Sequence, residues 1–110
     1  MQYLLLIYEN EQRYSKGYPA DEMAGYQAFG QEFAGAIKGG NALQPTGTAT
    51  TVRVSKGKTV TTDGPFAETK EQLGGYYLVE AKDQKEAEAM AAKIPAARSG
   101  SVEVRPIMTF

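Results

Sequence analysis

Between residues 53 and 71 the chain gathers the side chains best able to do chemistry, with Arg53, Asp63, Glu68, Lys70 and Glu71 flanking Phe66. There is no Cys and no His, which excludes a thiolate nucleophile, a Ser-His or Cys-His pair and the commonest metal ligands. Acid/base work would fall to carboxylates, Lys or Tyr. Asp63 is the candidate general base or ligand anchor, Glu68 and Lys70 its polar neighbours, and Phe66 a pocket wall. Arg53 and Arg105 point away from the valines beside them along their strands, so each can reach a carboxylate or phosphate in a cleft between sheets. Tyr8, Tyr76 and Tyr77 offer an apolar ring with a hydroxyl. No metal site and no cofactor is read, since "GKTVTTDG" lacks the glycine spacing of a phosphate loop.

Each of these residues also has a structural role open to it. Asp before Gly-Pro is ordinary turn chemistry. Phe66 can plug the core, Glu68, Lys70 and Glu71 can form a solvated turn with local ion pairs, and strand arginines and tyrosines commonly lie at a sheet surface. Which role prevails depends on the corner that carries them. In "TVTTDGPFAETKEQLGGYYLVE", residues 59–80, Asp63-Gly64 favours a hairpin. Pro65 blocks it, because it has no N–H for a returning strand and restricts the residue before it. The chain must therefore leave the sheet and re-enter near Tyr76. Thr69-x-x-Gln72 has the spacing of a capping box, which predicts a one-turn helix over Lys70 to Leu73 released by Gly74-Gly75.

The remaining elements follow from periodicity. The segment from Gln2 to Tyr8 is apolar on both parities, as in a strand buried on both faces. From Pro19 to about Lys38, Met23, Tyr26, Phe29, Phe33 and Ile37 form a helical stripe, with acidic residues in the first turn and "KGGN" as the stop. Gly30, on that stripe, would let the helix approach the sheet. The stretch "ATTVRVSKGKTVTTD" reads as a hairpin turning at Lys56-Gly57. "GYYLVEA" is a further strand. In "DQKEAEAMAAKIP", Asp83 caps a short helix with Ala87, Met90, Ala91 and Ile94 on one face and Pro95 at its end. "SVEVRPI" alternates as a half-buried strand, and Pro106 suggests a sheet edge. The order implies an α+β split β-α-β sandwich, with a hairpin and corner insert and helices on one sheet face. The uncovered second face of the first strand then calls for a second subunit.

At 110 residues, with 42% hydrophobic and 23% charged residues, the chain fits a single domain spanning 1–110. A net charge of −1 without a basic block argues against direct nucleic-acid binding. "YLLLIY" is too short to span a membrane and lacks the flanks of a signal peptide, so a cytoplasmic location is expected.

The run "TDGPFAETKEQLGGYYLVE", with "YLLLIY", "LQPTGTATTVRV", "PAA" and "GSVEVRPI", resembles the DGPF-type members of the YCII-related family over nearly the whole chain. The resemblance implies a ferredoxin-like fold that pairs as a dimeric α/β barrel, in bacterial cytoplasmic proteins. Related folds include small-molecule isomerases and dehalogenase-like proteins, and DGPF-type genes often lie beside alternative sigma-factor genes. A His-Asp pair proposed for the wider group cannot operate here, because only the Asp candidate, Asp63, is present. The expectation is a homodimer that binds a small molecule in a cleft near Asp63, with acid/base catalysis by Asp63 open. The alternative is a non-enzymatic regulatory or interaction module linked to transcription.

Overall fold

The computed structural model describes residues 1–110. Six strands and three helices follow in the order β1 (Gln2–Glu9), α1 (Ala20–Glu32), β2 (Ile37–Ala42), β3 (Thr50–Ser55), β4 (Lys58–Asp63), β5 (Gln72–Glu80), α2 (Gln84–Ala91), α3 (Ala96–Ser99) and β6 (Ser101–Pro106). Strands β2-β5-β1-β6 form one antiparallel sheet, and β3-β4 form a separate two-stranded one. Set aside that hairpin, and the order of strands and helices is the ferredoxin-like split β-α-β arrangement. No helix is long and apolar enough to cross a membrane.

Strand β1 lies between β5 and β6, with Leu5 opposite both Tyr77 and Val104. Its odd positions, Tyr3, Leu5, Ile7 and Glu9, are buried beneath the helices, while Leu4, Leu6 and Tyr8 are only half-buried on the other face. The core joins Tyr3, Leu5 and Ile7 to Phe29 of α1, Val79 of β5, Ala87, Met90 and Ala91 of α2, and Ile94. Phe29 stacks at a tilt on Tyr77, with ring centroids 4.8 Å apart. Asp83 caps α2 as its spacing predicts, accepting from Glu86 N–H at 2.9 Å. Pro95 ends that run and opens α3 in the next turn.

Three local expectations are corrected. Helix α1 stops at Glu32 rather than near Lys38, and residues 37–42 form the edge strand β2. Within "KGGN", Gly40 serves close strand approach instead of a helix stop: a Cβ there would lie 2.7 Å from the Tyr76 carbonyl. Gly30 has no neighbour that a Cβ would meet, so it sets no helix-sheet distance. Gly25 does have a packing reason, since a Cβ there would come within 2.8 Å of Pro95. Finally, residues 65–71 form bends, not a capped turn, and Gln72 already pairs with Glu9 in the sheet. The Thr69 hydroxyl donates to the Glu71 carbonyl at 2.5 Å and so caps no backbone N–H. A single helical turn closes few hydrogen bonds for the residues it fixes, whereas extending β5 adds ladder bonds at once.

The hairpin projects from the body. Every residue of β4 is exposed, and Val54 of β3 keeps 71% of its surface. Lys56 and Gly57, with φ of 51° and 78°, make the tight turn the sequence predicts. With this arm the radius of gyration is 15.8 Å, against about 13 Å for a compact chain of this length.

Candidate functional site

A carboxylate on the buried face of a strand needs donors. Glu9 is the last odd residue of β1 and is 5% exposed. It would be costly there without partners, and three side chains supply them. Asn10 caps a single 3-10 turn over Glu11–Tyr14, accepting from Gln12 N–H at 3.0 Å, and this turn folds Arg13 and Tyr14 back over Glu9. Arg13 Nη1 then donates to Glu9 Oε2 at 2.7 Å, and the Tyr14 hydroxyl donates to the same oxygen. The third donor is Ser99 Oγ, 2.9 Å away at the end of α3. Gly100 allows this approach, because a Cβ there would meet the Tyr8 carbonyl at 2.2 Å. Arg13 Nη2 also holds Glu22 Oε1 at 2.7 Å, tying the turn to α1.

Beside this network a cavity of about 620 Å³ opens between α1 and the sheet. Ile7, Met23 and Leu43 give it apolar walls, and Tyr14, Tyr18, Tyr26 and Tyr77 surround it with rings. Tyr14 and Tyr18 stack with centroids 4.1 Å apart. Asn41 donates to the Tyr76 hydroxyl at 3.1 Å across β2 and β5. The mouth is stapled by Glu11, which accepts from Thr46 N–H and Oγ1, each at 2.7 Å, while its own N–H donates to Gln72 Oε1 at 2.9 Å. Burial raises the phenol pKa of Tyr14, Tyr18, Tyr26 and Tyr77, with the Glu9 charge adding to the effect at the first three. At neutral pH these rings are uncharged hydrogen-bond donors.

Of the residues singled out from the sequence, Tyr77 reaches the cavity and Tyr76 borders it, while seven others lie elsewhere, in two groups. Tyr8 and Arg105 are on the uncovered sheet face, opposite Ser101 and Leu4, and Arg105 Nε donates to Glu103 at 3.0 Å. Arg53 and Asp63 are on the arm, opposite Val60 and Thr50, and Phe66, 82% exposed, follows with Glu68 and Lys70 in the bends. Gly64, with φ of 96°, turns the chain there and its N–H donates to Ala49 at 2.7 Å. None of the seven lines the cavity. Glu9, Tyr14, Tyr18 and Tyr26 were not singled out, although Glu9 had a signal: it continues the buried parity of Tyr3, Leu5 and Ile7.

With this geometry in place, the chain can be set beside known proteins. The model of the YCII-related domain matches residues 1–110. The chain belongs to the YCII-related family. A protein of Rhizobium meliloti (strain 1021), described as uncharacterised, is 38% identical over 117 residues, covering 100% of this chain and 94% of that one. Among solved structures, this YCII-related chain is similar to the dehydrochlorinase TftG of Burkholderia phenoliruptrix AC1100, which acts on 5-chloro-2-hydroxyhydroquinone and was solved with 2,5-dihydroxybenzoquinone. The TM-score is 0.61 at 14% identity, with 98% of this chain and 94% of TftG covered. That likeness establishes a shared fold for the YCII-related chain.

Proposed function

We propose that this protein binds a small, largely apolar ring compound in the cavity between α1 and the sheet. The observation that carries the reading is the cavity itself: about 620 Å³, walled by rings and aliphatic side chains, with a few polar groups converging at one end. Concave, mostly apolar sites with sparse polar groups are the usual form of small-molecule pockets, at volumes of about 300–1,000 Å³. TftG, solved with a ring compound, lends support by analogy of fold only. Glu9, held by the Tyr14 phenol, gives the cavity a polar end.

Asp63 remains a proposal of its own, as a ligand anchor or base at the corner with Phe66, Glu68 and Lys70. The reading also includes a second copy of the chain, because Leu4, Leu6 and Leu78 line a sheet face that no helix covers. The exposed valines of the arm favour the rival reading, a module that docks on a protein partner.

A thermal-shift screen of a metabolite library on wild type, Met23→Trp and Asp63→Asn separates these readings, since a ligand of the native state raises its melting temperature. Met23 is half exposed at the cavity, so Trp fills space there without entering the core. Hits lost in Met23→Trp and kept in Asp63→Asn are the expected result. The reverse pattern moves the site to the corner, and a screen without hits favours the interaction module.

A further inference from the structure

The cavity walls have a charge asymmetry that the chain as a whole, at −1, does not show. Glu9 and Glu11 line it, and no Lys or Arg does. The nearest guanidinium, Arg13, is already shared between Glu9 and Glu22 at 2.7 Å each. One cation therefore serves two carboxylates, and Glu11 has only the neutral donors of Thr46. Glu22 Oε2 is buried without any donor, although the charge of Glu22 reaches Tyr18 and Tyr26, both of which line the cavity. A carboxylate or phosphate brought into this space would meet like charge with no counter-ion, which a partly desolvated site penalises heavily. A cation would meet the opposite.

The aromatic lining points the same way. Four tyrosine rings, those of Tyr14, Tyr18, Tyr26 and Tyr77, surround one cavity, and the faces of such rings attract cations, most strongly where water is excluded. Because burial keeps the phenols protonated, the rings stay neutral and can also donate hydrogen bonds to a ligand's polar edge. Resting on the small-molecule reading above, we infer that the ligand is an organic cation, an amine or quaternary ammonium on a compact apolar body. Its charged end sits among the tyrosines towards Glu9, and its body lies against Ile7, Met23 and Leu43.

Three probes of matched size and different charge test this: benzylamine, benzyl alcohol and benzoate, titrated into the intact protein and followed by NMR at the ring signals of Tyr26 and Tyr77. Benzylamine should bind on the order of tenfold more tightly than the alcohol, benzoate should not saturate, and the amine's advantage should shrink as salt rises. Glu22→Gln should narrow the gap between amine and alcohol. Alcohol or benzoate binding as tightly as the amine at the same rings would keep the cavity as a binding site and overturn the cation assignment. If none of the three perturbs those rings, the small-molecule reading falls together with the inference.

Discussion

Glu9 concentrates the chemistry of the site because one carboxylate oxygen holds Arg13, Tyr14 and Ser99 together from two distant parts of the chain. Removing one donor leaves a buried acceptor under-served, so Tyr14→Phe should destabilise the fold by about 1–3 kcal/mol. Chemical denaturation measures this, and a shift below about 0.5 kcal/mol would show the bond to be dispensable. The phenols make a second prediction. Tyr14 and Tyr26 have pKa values raised in the folded state above the usual value of about 10. As pH passes that value the unfolded chain releases these protons and the folded chain retains them, so the unfolded state binds fewer protons and stability falls with rising pH. Absorbance at 295 nm should show part of the tyrosine ionising only with alkaline unfolding. A single titration of all seven tyrosines near the usual value, with the fold intact, would refute the burial argument. At this scale the sequence was partly legible. The tyrosines on strands could be seen as ring-and-hydroxyl groups, but Tyr14 and Tyr18 sit in a segment without periodicity. Nothing local shows that a 3-10 turn will fold them over the end of β1.

At the scale of elements, the outcome depended on whether a segment carries its own structural reason or borrows one from a neighbour. The β3-β4 turn and the Asp83 cap are self-contained, and both could be read directly. Edge strand β2 is not: "IKGGNA" has weak strand preference, and it is a strand because β5 offers an open edge and glycine allows close approach. The same contrast divides two capping patterns of equal appearance. Asp83 accepts a backbone N–H, while Thr69 donates to a carbonyl and its Gln72 is drawn into β5. Asp83→Ala should therefore cost about 1 kcal/mol, and Thr69→Ala should fall within the roughly 0.5 kcal/mol of ordinary surface changes. Paired denaturation curves check both, and equal losses would restore the capped turn.

For the whole molecule, the decisive quantity is thickness. The chain measures 46 × 43 × 19 Å, and its shortest dimension accommodates one sheet and one helix layer, each about 10 Å deep. Nothing covers the second face of the sheet, where Leu4 lies opposite Leu78 and Leu6 opposite Tyr76. The arm compounds the problem, because a two-stranded sheet alone in water is marginal and this one exposes Val52, Val54 and Val60. A second copy placed face to face would cover both sheets by one two-fold axis, since a self-complementary patch closes with a single partner. The two-sided β1 in the sequence already implied such a cover; the projecting arm could not be foreseen, because a hairpin pattern says nothing about what the hairpin lies against. Sedimentation at micromolar concentration should give a dimer, with an apolar interface of at least about 800 Å² per partner. Leu6→Lys should dissociate it while far-UV circular dichroism is kept, because Leu6 faces away from the helices. A wild-type monomer that stays folded at that concentration would rule out the pairing, and a dimer unaffected by Leu6→Lys would move the interface to the arm alone.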